Sequence, residues 1–368
     1  MTALVVGGCG FVGYHIVENF VKDPFFDTVT VISRSAAESK YHVHGARYIS
    51  VDITNREAVL NVFDEIQPTV VVHAASPSPT TGTSREYKHV TVDGTRTLLA
   101  ISKASYSTRV FIYTSSSTLA KGREHINLRE DYPLANTDAK APAYARAKAD
   151  AENIVLEEST MHEKLPQDSD WSGCLRTGAL RFPVVYGTHD LLTIPACLEA
   201  LRTGQTGVQL GSGENMWDFC SAENASAAHT LLAHGLLDPE SRELDGEVFH
   251  INDGQPMRFW DFARAIWRKA GWIDNDKKVI KLPTSLLLGI ATFLELIFWV
   301  FTLGHKRPGL LGKQQVEYSC FTHTYSIEKA KTKLKYVPRQ NFEGALEEAV
   351  RWSLEKDGWA EKLRPKKV

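Results

Sequence analysis

An excess of charge of either sign is what this sequence most plainly lacks. Lys plus Arg number 42 against 44 Asp plus Glu, a net charge of −2. It has neither a basic footprint nor an acidic tail, so no nucleic-acid partner is expected. Cysteine is scarce: Cys9, Cys174, Cys197, Cys220 and Cys320 form an odd set with no CxxC pair. That spacing fits reduced thiols in a cytosolic compartment and argues against a disulfide scaffold or a four-cysteine zinc site. HExxH and GxSxG are also missing. His42, His44, His73, His89, His229 and His234 show no metal-ligand spacing, so no metal site is expected and a hydrolase finds little support. No basic n-region precedes Ala3-Leu4-Val5-Val6, so no cleavable signal peptide is expected.

What is present is a chain of 368 residues, 43% hydrophobic and 23% charged, ordinary for a soluble core and long enough for two lobes. Short apolar runs at Ala3–Val6, Val29–Ile32, Ala46–Val51, Val70–His73, Val110–Thr114 and Gly178–Phe182 read as strands. Helical patterns lie between them at Gly13–Val21, Arg56–Ile66, Gly94–Ser105 and Ala143–Glu158. Apolar runs alternating with helices predict an α/β fold, a doubly wound parallel sheet covered on both faces. A dinucleotide-binding domain is expected over 1–185, with parts of about 216–252 returning to it. A smaller substrate lobe is expected over 186–368. Met161–Ser172 is polar and reads as a surface insertion.

Gly7-Gly8-Cys9-Gly10-Phe11-Val12-Gly13 lies between the first strand and the first helix. Gly7 permits the tight turn, Gly10 lets the backbone approach a pyrophosphate, and Gly13 lets helix and strand pack closely. The helix start at Phe11 and Val12 offers free N–H groups to phosphate. The second strand ends at Ser33-Arg34, where an acidic residue would bind the ribose hydroxyl of NAD. Without that carboxylate, and with Arg34 as a cation, the expected cofactor is NADP in preference to NAD. Asp52, followed by Ile53, is placed to reach the adenine edge or to cap the next helix.

Tyr144 and Lys148 stand four apart, on one face of a helix. An ammonium near a phenol favours the phenolate, so Tyr144 is the candidate proton acceptor and Lys148 its expected activator. Ser116 lies in a Ser/Thr run at the end of a strand, the edge of such a sheet where a dinucleotide lies.

Together these residues resemble a family. The glycine run, Val71-Val-His-Ala-Ala-Ser76, Tyr113-Thr-Ser-Ser116 and Tyr144-x-x-x-Lys148 look like an extended short-chain dehydrogenase/reductase with a Rossmann-type sheet. Trp217-Asp-Phe219, Asn224-Ala-Ser-Ala-Ala-His229, Gly246 to Pro256, Phe259 to Trp267 and Ser326 to Pro338 narrow the resemblance. They point to the 3β-hydroxysteroid dehydrogenase family, and within it to the fungal sterol-4α-carboxylate 3-dehydrogenase (decarboxylating) group. The resemblance implies NAD(P)-dependent interconversion of a 3-hydroxyl and a ketone on an apolar sterol or terpenoid, with decarboxylation of an adjacent carboxylate. It implies catalysis by Tyr144, Lys148 and Ser116, a dinucleotide also lined by Ala74, Ala75, Pro183 and Val184, and pairing into a homodimer. Three departures stand out: Ser33 for an acid, Thr91 for an asparagine, and Phe182-Pro183-Val184 after Arg181. No cation for a substrate carboxylate stands out; Arg85 and Lys88 are the candidates. A nucleotide-sugar epimerase or dehydratase shares the glycines and the Tyr/Lys pair, and a non-catalytic dinucleotide sensor is the remaining alternative.

One stretch is unusually apolar: Leu286 to Gly304 carries a single charge, Glu295. As a helix it is ~28 Å long, near a bilayer's hydrocarbon thickness. A single crossing would strand the C-terminal substrate-lobe segments on the far side. Thr292, Glu295 and Thr302 form a narrow polar stripe, which an in-plane helix would turn toward the protein. His305-Lys306-Arg307 and the tail Lys362–Lys367 suit anionic head groups. Peripheral attachment to the cytoplasmic face of endoplasmic reticulum or lipid droplets is expected, with a cytoplasmic protein and a buried helix as the alternative.

Overall fold

A computed structural model describes residues 1–159, 173–274, 279–302 and 312–364. The polar stretch Met161–Ser172 and the basic run 305–307 lie outside the described residues, as does most of the lysine-rich tail.

Seven parallel strands form the central sheet: β1 (Thr2–Val6), β2 (Thr28–Ser33), β3 (Ala46–Ser50), β4 (Val70–His73), β5 (Val110–Ser116), β6 (Arg176–Phe182) and β7 (Glu247–His250). Their order is β7-β6-β5-β4-β1-β2-β3, so the chain reverses direction across the sheet between β1 and β4. Side chains alternate across the sheet because the strand period is two. Ala3 and Val5 pack with Ile16, Phe20, Ala228 and Leu232 on one face. Leu4 and Val6 pack with Val59, Phe63, Leu98 and Val155 on the other. The covering helices on the first face are α1 (Phe11–Lys22) and α5 (Ala222–Leu237); those on the second are α2 (Arg56–Ile66), α3 (Gly94–Ala104) and α4 (Ala143–Glu157). With both faces covered, near-continuous apolar strands are the stable solution.

The C-terminal half adds its own core around Trp217, Phe219, Phe262, Ile266, Leu346 and Val350. It includes α6 (Phe259–Lys269) and a small sheet that takes a strand from the first half: His125–Leu128 pairs in parallel with His323–Tyr325. Two further helices, α7 (Thr284–Thr302) and α8 (Lys313–Cys320), pack together on Leu287, Ala291 and Val316. Among the described residues, no helix is long and apolar enough to cross a membrane.

Candidate active site

The C-terminal ends of the sheet strands meet where the strand order reverses, the crevice in which such sheets bind ligands. Gly7 leaves β1 with φ of +86°, a conformation that favours glycine, and a Cβ there would lie 2.6 Å from the Ala75 backbone nitrogen. A Cβ on Gly13 would lie 2.2 Å from the Gly7 carbonyl oxygen, so helix and turn close on each other only with glycine. Gly10 caps α1 with no side-chain hydrogen bond, and no acidic residue stands in the first turn. The positive helix end at Phe11 and Val12 is thus left to an anion. Ala74, whose amide donates to the Val6 carbonyl at 2.9 Å, and Ala75 form the opposite wall. These features fit a dinucleotide pyrophosphate.

Ser33 closes β2, half-buried, near the half-buried Cys9 thiol. Arg34 is exposed, and its charge reaches Asp52 and Glu86. Asp52 does not cap α2. Its Oδ1 accepts from the Thr54 amide at 2.9 Å and from the Thr54 hydroxyl at 2.8 Å, while Asn55 caps the helix. Burial works against ionisation of Asp52, but these bonds and the Arg34 charge leave its carboxyl below its ordinary value. Ile53 is buried beside it, against Gly94. Pro183 and Val184 follow β6 half-buried, and Val184 pairs with Phe219.

The catalytic candidates converge at the end of β5. The Tyr144 ring stands edge-on to Tyr87, 5.5 Å between centroids. Ser116 is the neighbour that draws its phenol down, and Ser116 Oγ is bonded to Thr118 Oγ1 at 2.9 Å. The neighbouring serines point elsewhere: Ser117 Oγ bonds His250 Nδ1 at 3.1 Å, and Ser115 Oγ is buried without a partner. Lys148 is 3% exposed; its Nζ donates to the Thr114 carbonyl at 2.8 Å and lies 4.7 Å from the Tyr113 ring centroid.

Desolvation dominates the electrostatics here. Burial pushes the Tyr144 phenol up to about 12, and the group drawing it down is Ser116 rather than Lys148. Lys148 shares a helix face with Tyr144 but sits on a carbonyl at the strand end. Burial also drops its ammonium to about 7, with Glu152 partly restoring the charge. His73 is buried and neutral: burial and the Lys148 charge lower it to about 3, and Nε2 bonds Thr95 Oγ1 at 3.0 Å. Thr91 is buried with an unpartnered hydroxyl, on a stretch of π-helix at Tyr87–Asp93. The Lys88 ammonium is taken by Asp93 at 2.8 Å, and Arg85 is exposed. Neither therefore stands out as a carboxylate receptor. Among the described residues, no group of three His, Cys, Asp or Glu is placed to hold a metal ion.

Two features carry no local sequence signal. Glu152, two turns beyond Tyr144, grips Arg181 of β6 at 2.6 Å with both side chains buried, and Arg181 also donates to the Glu130 carbonyl at 2.9 Å. This pair fixes α4 against the sheet. The second is Tyr318 of α8, a half-buried ring that stacks on His323 at 4.9 Å and meets Trp217 edge-on at 5.5 Å.

A profile of the 3-beta hydroxysteroid dehydrogenase/isomerase family matches residues 4–284. The sterol-4-alpha-carboxylate 3-dehydrogenase (decarboxylating) of Schizosaccharomyces pombe is 33% identical, over 96% of this chain and 97% of its own length. The Saccharomyces cerevisiae protein of that name is 30% identical over 95% and 97%. The Arabidopsis thaliana 3beta-hydroxysteroid-dehydrogenase/decarboxylase isoform 1 is 27% identical over 91% and 75%. Among solved structures, a Thermotoga maritima UDP-glucose 4-epimerase superposes with a TM-score of 0.69 at 20% identity, covering 96% of this chain and 99% of that one. At that identity the likeness is one of fold, shared with the epimerases, while the sequence relatives are dehydrogenases. The chain thus belongs to the 3-beta hydroxysteroid dehydrogenase/isomerase family, and it is a nicotinamide-dinucleotide-dependent dehydrogenase acting on a CH–OH group.

Proposed function

We propose that this dehydrogenase oxidises the 3-hydroxyl of a sterol or terpenoid bearing a carboxylate on the adjacent carbon, and that carbon dioxide is then lost. One observation carries the reading: Ser116 ends β5, and Lys148, one turn past Tyr144 on α4, bonds the Thr114 carbonyl of that strand, in a chain aligned end to end with sterol-4-alpha-carboxylate 3-dehydrogenases. Tyr144 Oη takes the alcohol proton, and Ser116 Oγ donates to the reacting oxygen. Gly7, Gly10, Gly13, Phe11 and Val12 hold the pyrophosphate, Lys148 the nicotinamide ribose, Asp52 and Ile53 the adenine. Ala74, Ala75, Pro183 and Val184 line the remaining wall. A nicotinamide dinucleotide bound there supplies the hydride acceptor. The new ketone is β to the carboxylate, so the C–C bond to carbon dioxide breaks with its electron pair entering an enolate. Ser116 and Tyr144 stand ready to donate to that oxygen.

NADP is the preferred form in this reading. Ser33 presents no carboxylate to repel a 2′-phosphate, and exposed Arg34 stands beside it.

The site of action proposed is a membrane surface. In α7, Leu286, Ile290 and Phe293 recur at helical spacing on the exposed side, with Leu296 and Phe301. Phe293 is 63% and Phe301 82% exposed, an apolar patch that water does not favour. A sterol-like substrate partitions into the same phase, and the basic run 305–307 follows directly in sequence. The polar stripe behaves differently from expectation. Glu295 turns to the protein and accepts from the Lys313 amide at 2.9 Å, but Thr292 is exposed and bonds the Leu288 carbonyl of its own helix. A hydroxyl satisfied in that way tolerates an apolar environment. The Thr302 side chain lies outside the described residues.

Purified protein given 3-hydroxysterols with and without a 4-carboxylate should reduce NADP and release carbon dioxide only from the acid. Turnover confined to nucleotide sugars, or none on any alcohol, overturns the reading. Flotation with anionic vesicles tests the surface; a dimer that hides α7 and no vesicle binding overturns that part.

A further inference from the structure

We propose that Tyr87 is a positioning residue for the reaction: its buried ring, presented by the π-helical turn Tyr87–Asp93 and anchored on the loop before it, holds the Tyr144 ring where the phenol meets the alcohol. The inference rests on the proposed role of Tyr144 and extends it to the segment between β4 and α3.

Tyr144 is the second residue of α4, in a first turn whose N-cap, Pro142, makes no side-chain hydrogen bond. Helical side chains lean toward the N-terminus and rest on the turn before them. At the second position there is no such turn, so the Tyr144 ring has to be held from outside its own helix. The ring that meets it is Tyr87, with 5.5 Å between centroids and 68° between planes. Tyr87 is 4% exposed and forms a small core with Val92 and Ala147, against which Ala143 and Tyr144 pack. Edge-on aromatic pairs favour a narrow set of geometries, so a fixed Tyr87 fixes its partner.

The backbone explains how Tyr87 comes to face α4. Tyr87 and Val92 are five residues apart, and on an α-helix they would point about 140° away from each other. A π-helix bonds i to i+5 and brings both to one face; such turns are rare and concentrate at functional sites. The Gly94 amide donates to the His89 carbonyl, five residues back, as that geometry requires. Both ends of the turn are pinned. At the far end the Thr95 hydroxyl donates to the Thr91 carbonyl at 2.5 Å and is bonded to His73 Nε2 at 3.0 Å. At the near end the Tyr87 hydroxyl donates to the Ser78 carbonyl at 2.6 Å, and Thr83 and Glu86 close a capping box. Gly82 leaves the ring its room, since a Cβ there would lie 2.6 Å from the Tyr87 Cε1. Proton transfer needs the phenol within hydrogen-bond reach of the alcohol. A ring displaced by about 1 Å can lose up to a hundredfold in rate.

The test compares Tyr87→Leu, Tyr87→Phe and Gly82→Ala in the full-length protein, with oxidation of a 3-hydroxysterol followed in light and heavy water. Tyr87→Leu should lower kcat about 10–100-fold and leave KM for the dinucleotide unchanged. It should also enlarge the solvent deuterium isotope effect on kcat, because passing the alcohol proton to a displaced phenol becomes the slow step. Tyr87→Phe keeps the ring and should restore most of the rate. Gly82→Ala removes no atom from Tyr87, yet by crowding the ring it should lower kcat and raise the isotope effect in the same way. Added to Tyr87→Leu it should cost nothing further. A protein that is merely less folded loses kcat at the wild-type isotope effect, which separates positioning from stability. If Tyr87→Leu does not fold, Gly82→Ala decides. A wild-type rate, or a lowered rate with the wild-type isotope effect, overturns the inference while Tyr144→Phe remains inactive. Full activity of Tyr144→Phe would instead remove the reading beneath it.

Discussion

Helices α4 and α7 invert the usual relation between composition and burial. The α4 sequence, AYARAKADAENIVLE, is alanine-rich and charged, yet Lys148 and Glu152 are almost fully buried. The α7 sequence, TSLLLGIATFLELIFWVFT, is overwhelmingly apolar, yet Leu286, Phe293, Leu296 and Phe301 are exposed. Each inversion has a cost, and each shows where function constrains the molecule. Buried charge survives only when paired, and α4 supplies the pairs: Glu152 with Arg181, Lys148 with a carbonyl and a ring. Exposed apolar surface persists where something other than water covers it.

Breaking the α4 side gives the largest effect. Glu152→Leu leaves Arg181 buried and unpaired, which should cost about 3–5 kcal/mol of stability in a denaturant titration. The double variant Glu152→Leu with Arg181→Leu should recover most of it, since no lone charge remains. A single variant as stable as wild type would show that the pair does not hold α4.

On the α7 side, Phe293→Asp with Leu296→Asp should weaken vesicle binding by at least a hundredfold, taking about 1.5–3 kcal/mol per buried apolar side chain. Turnover of a detergent-dispersed sterol should stay near wild type. Equal loss of both would place α7 in the fold of the site instead.

A smaller effect is expected at the cofactor. Ser33→Asp should cut kcat/KM with NADP about tenfold and help NAD, because a carboxylate repels a 2′-phosphate. A wild type that already favours NAD would reverse the assignment of NADP, and the substitution would then matter little.

The two helices also differ in how far their roles could be read from sequence. The glycine turn and the Tyr144/Lys148 spacing are local signals, fixed by a turn's geometry and a helix's period. The α7 run was equally visible as a hydrophobic block. Which of its faces is exposed depended on the packing of α8, so Thr292 fell on the outside. Glu152 and Arg181 meet across a helix–sheet contact, and Tyr318 meets Trp217 across the C-terminal half; neither meeting has a periodicity to betray it. The strand His125–Leu128 was missed for the same reason, since its partner His323–Tyr325 comes from the far end of the sequence. The π-helical turn around Thr91 likewise follows from packing against α4 rather than from any residue pattern. Spacing alone does not report desolvation, so the burial that raises the Tyr144 phenol and lowers the Lys148 ammonium leaves no mark in the sequence.

The most direct test is the pH dependence of sterol oxidation by wild type and Tyr144→Phe, followed by dinucleotide reduction. With the phenol raised to about 12 by burial, its ionised fraction grows about tenfold per pH unit below that value. The wild-type rate should therefore climb between pH 7 and 10, while the reverse reduction, which uses the protonated phenol, stays nearly flat over that range. Tyr144→Phe should lie about 10²–10⁴-fold lower and lose that climb. A Tyr144→Phe enzyme that keeps the wild-type rate and slope would contradict the account.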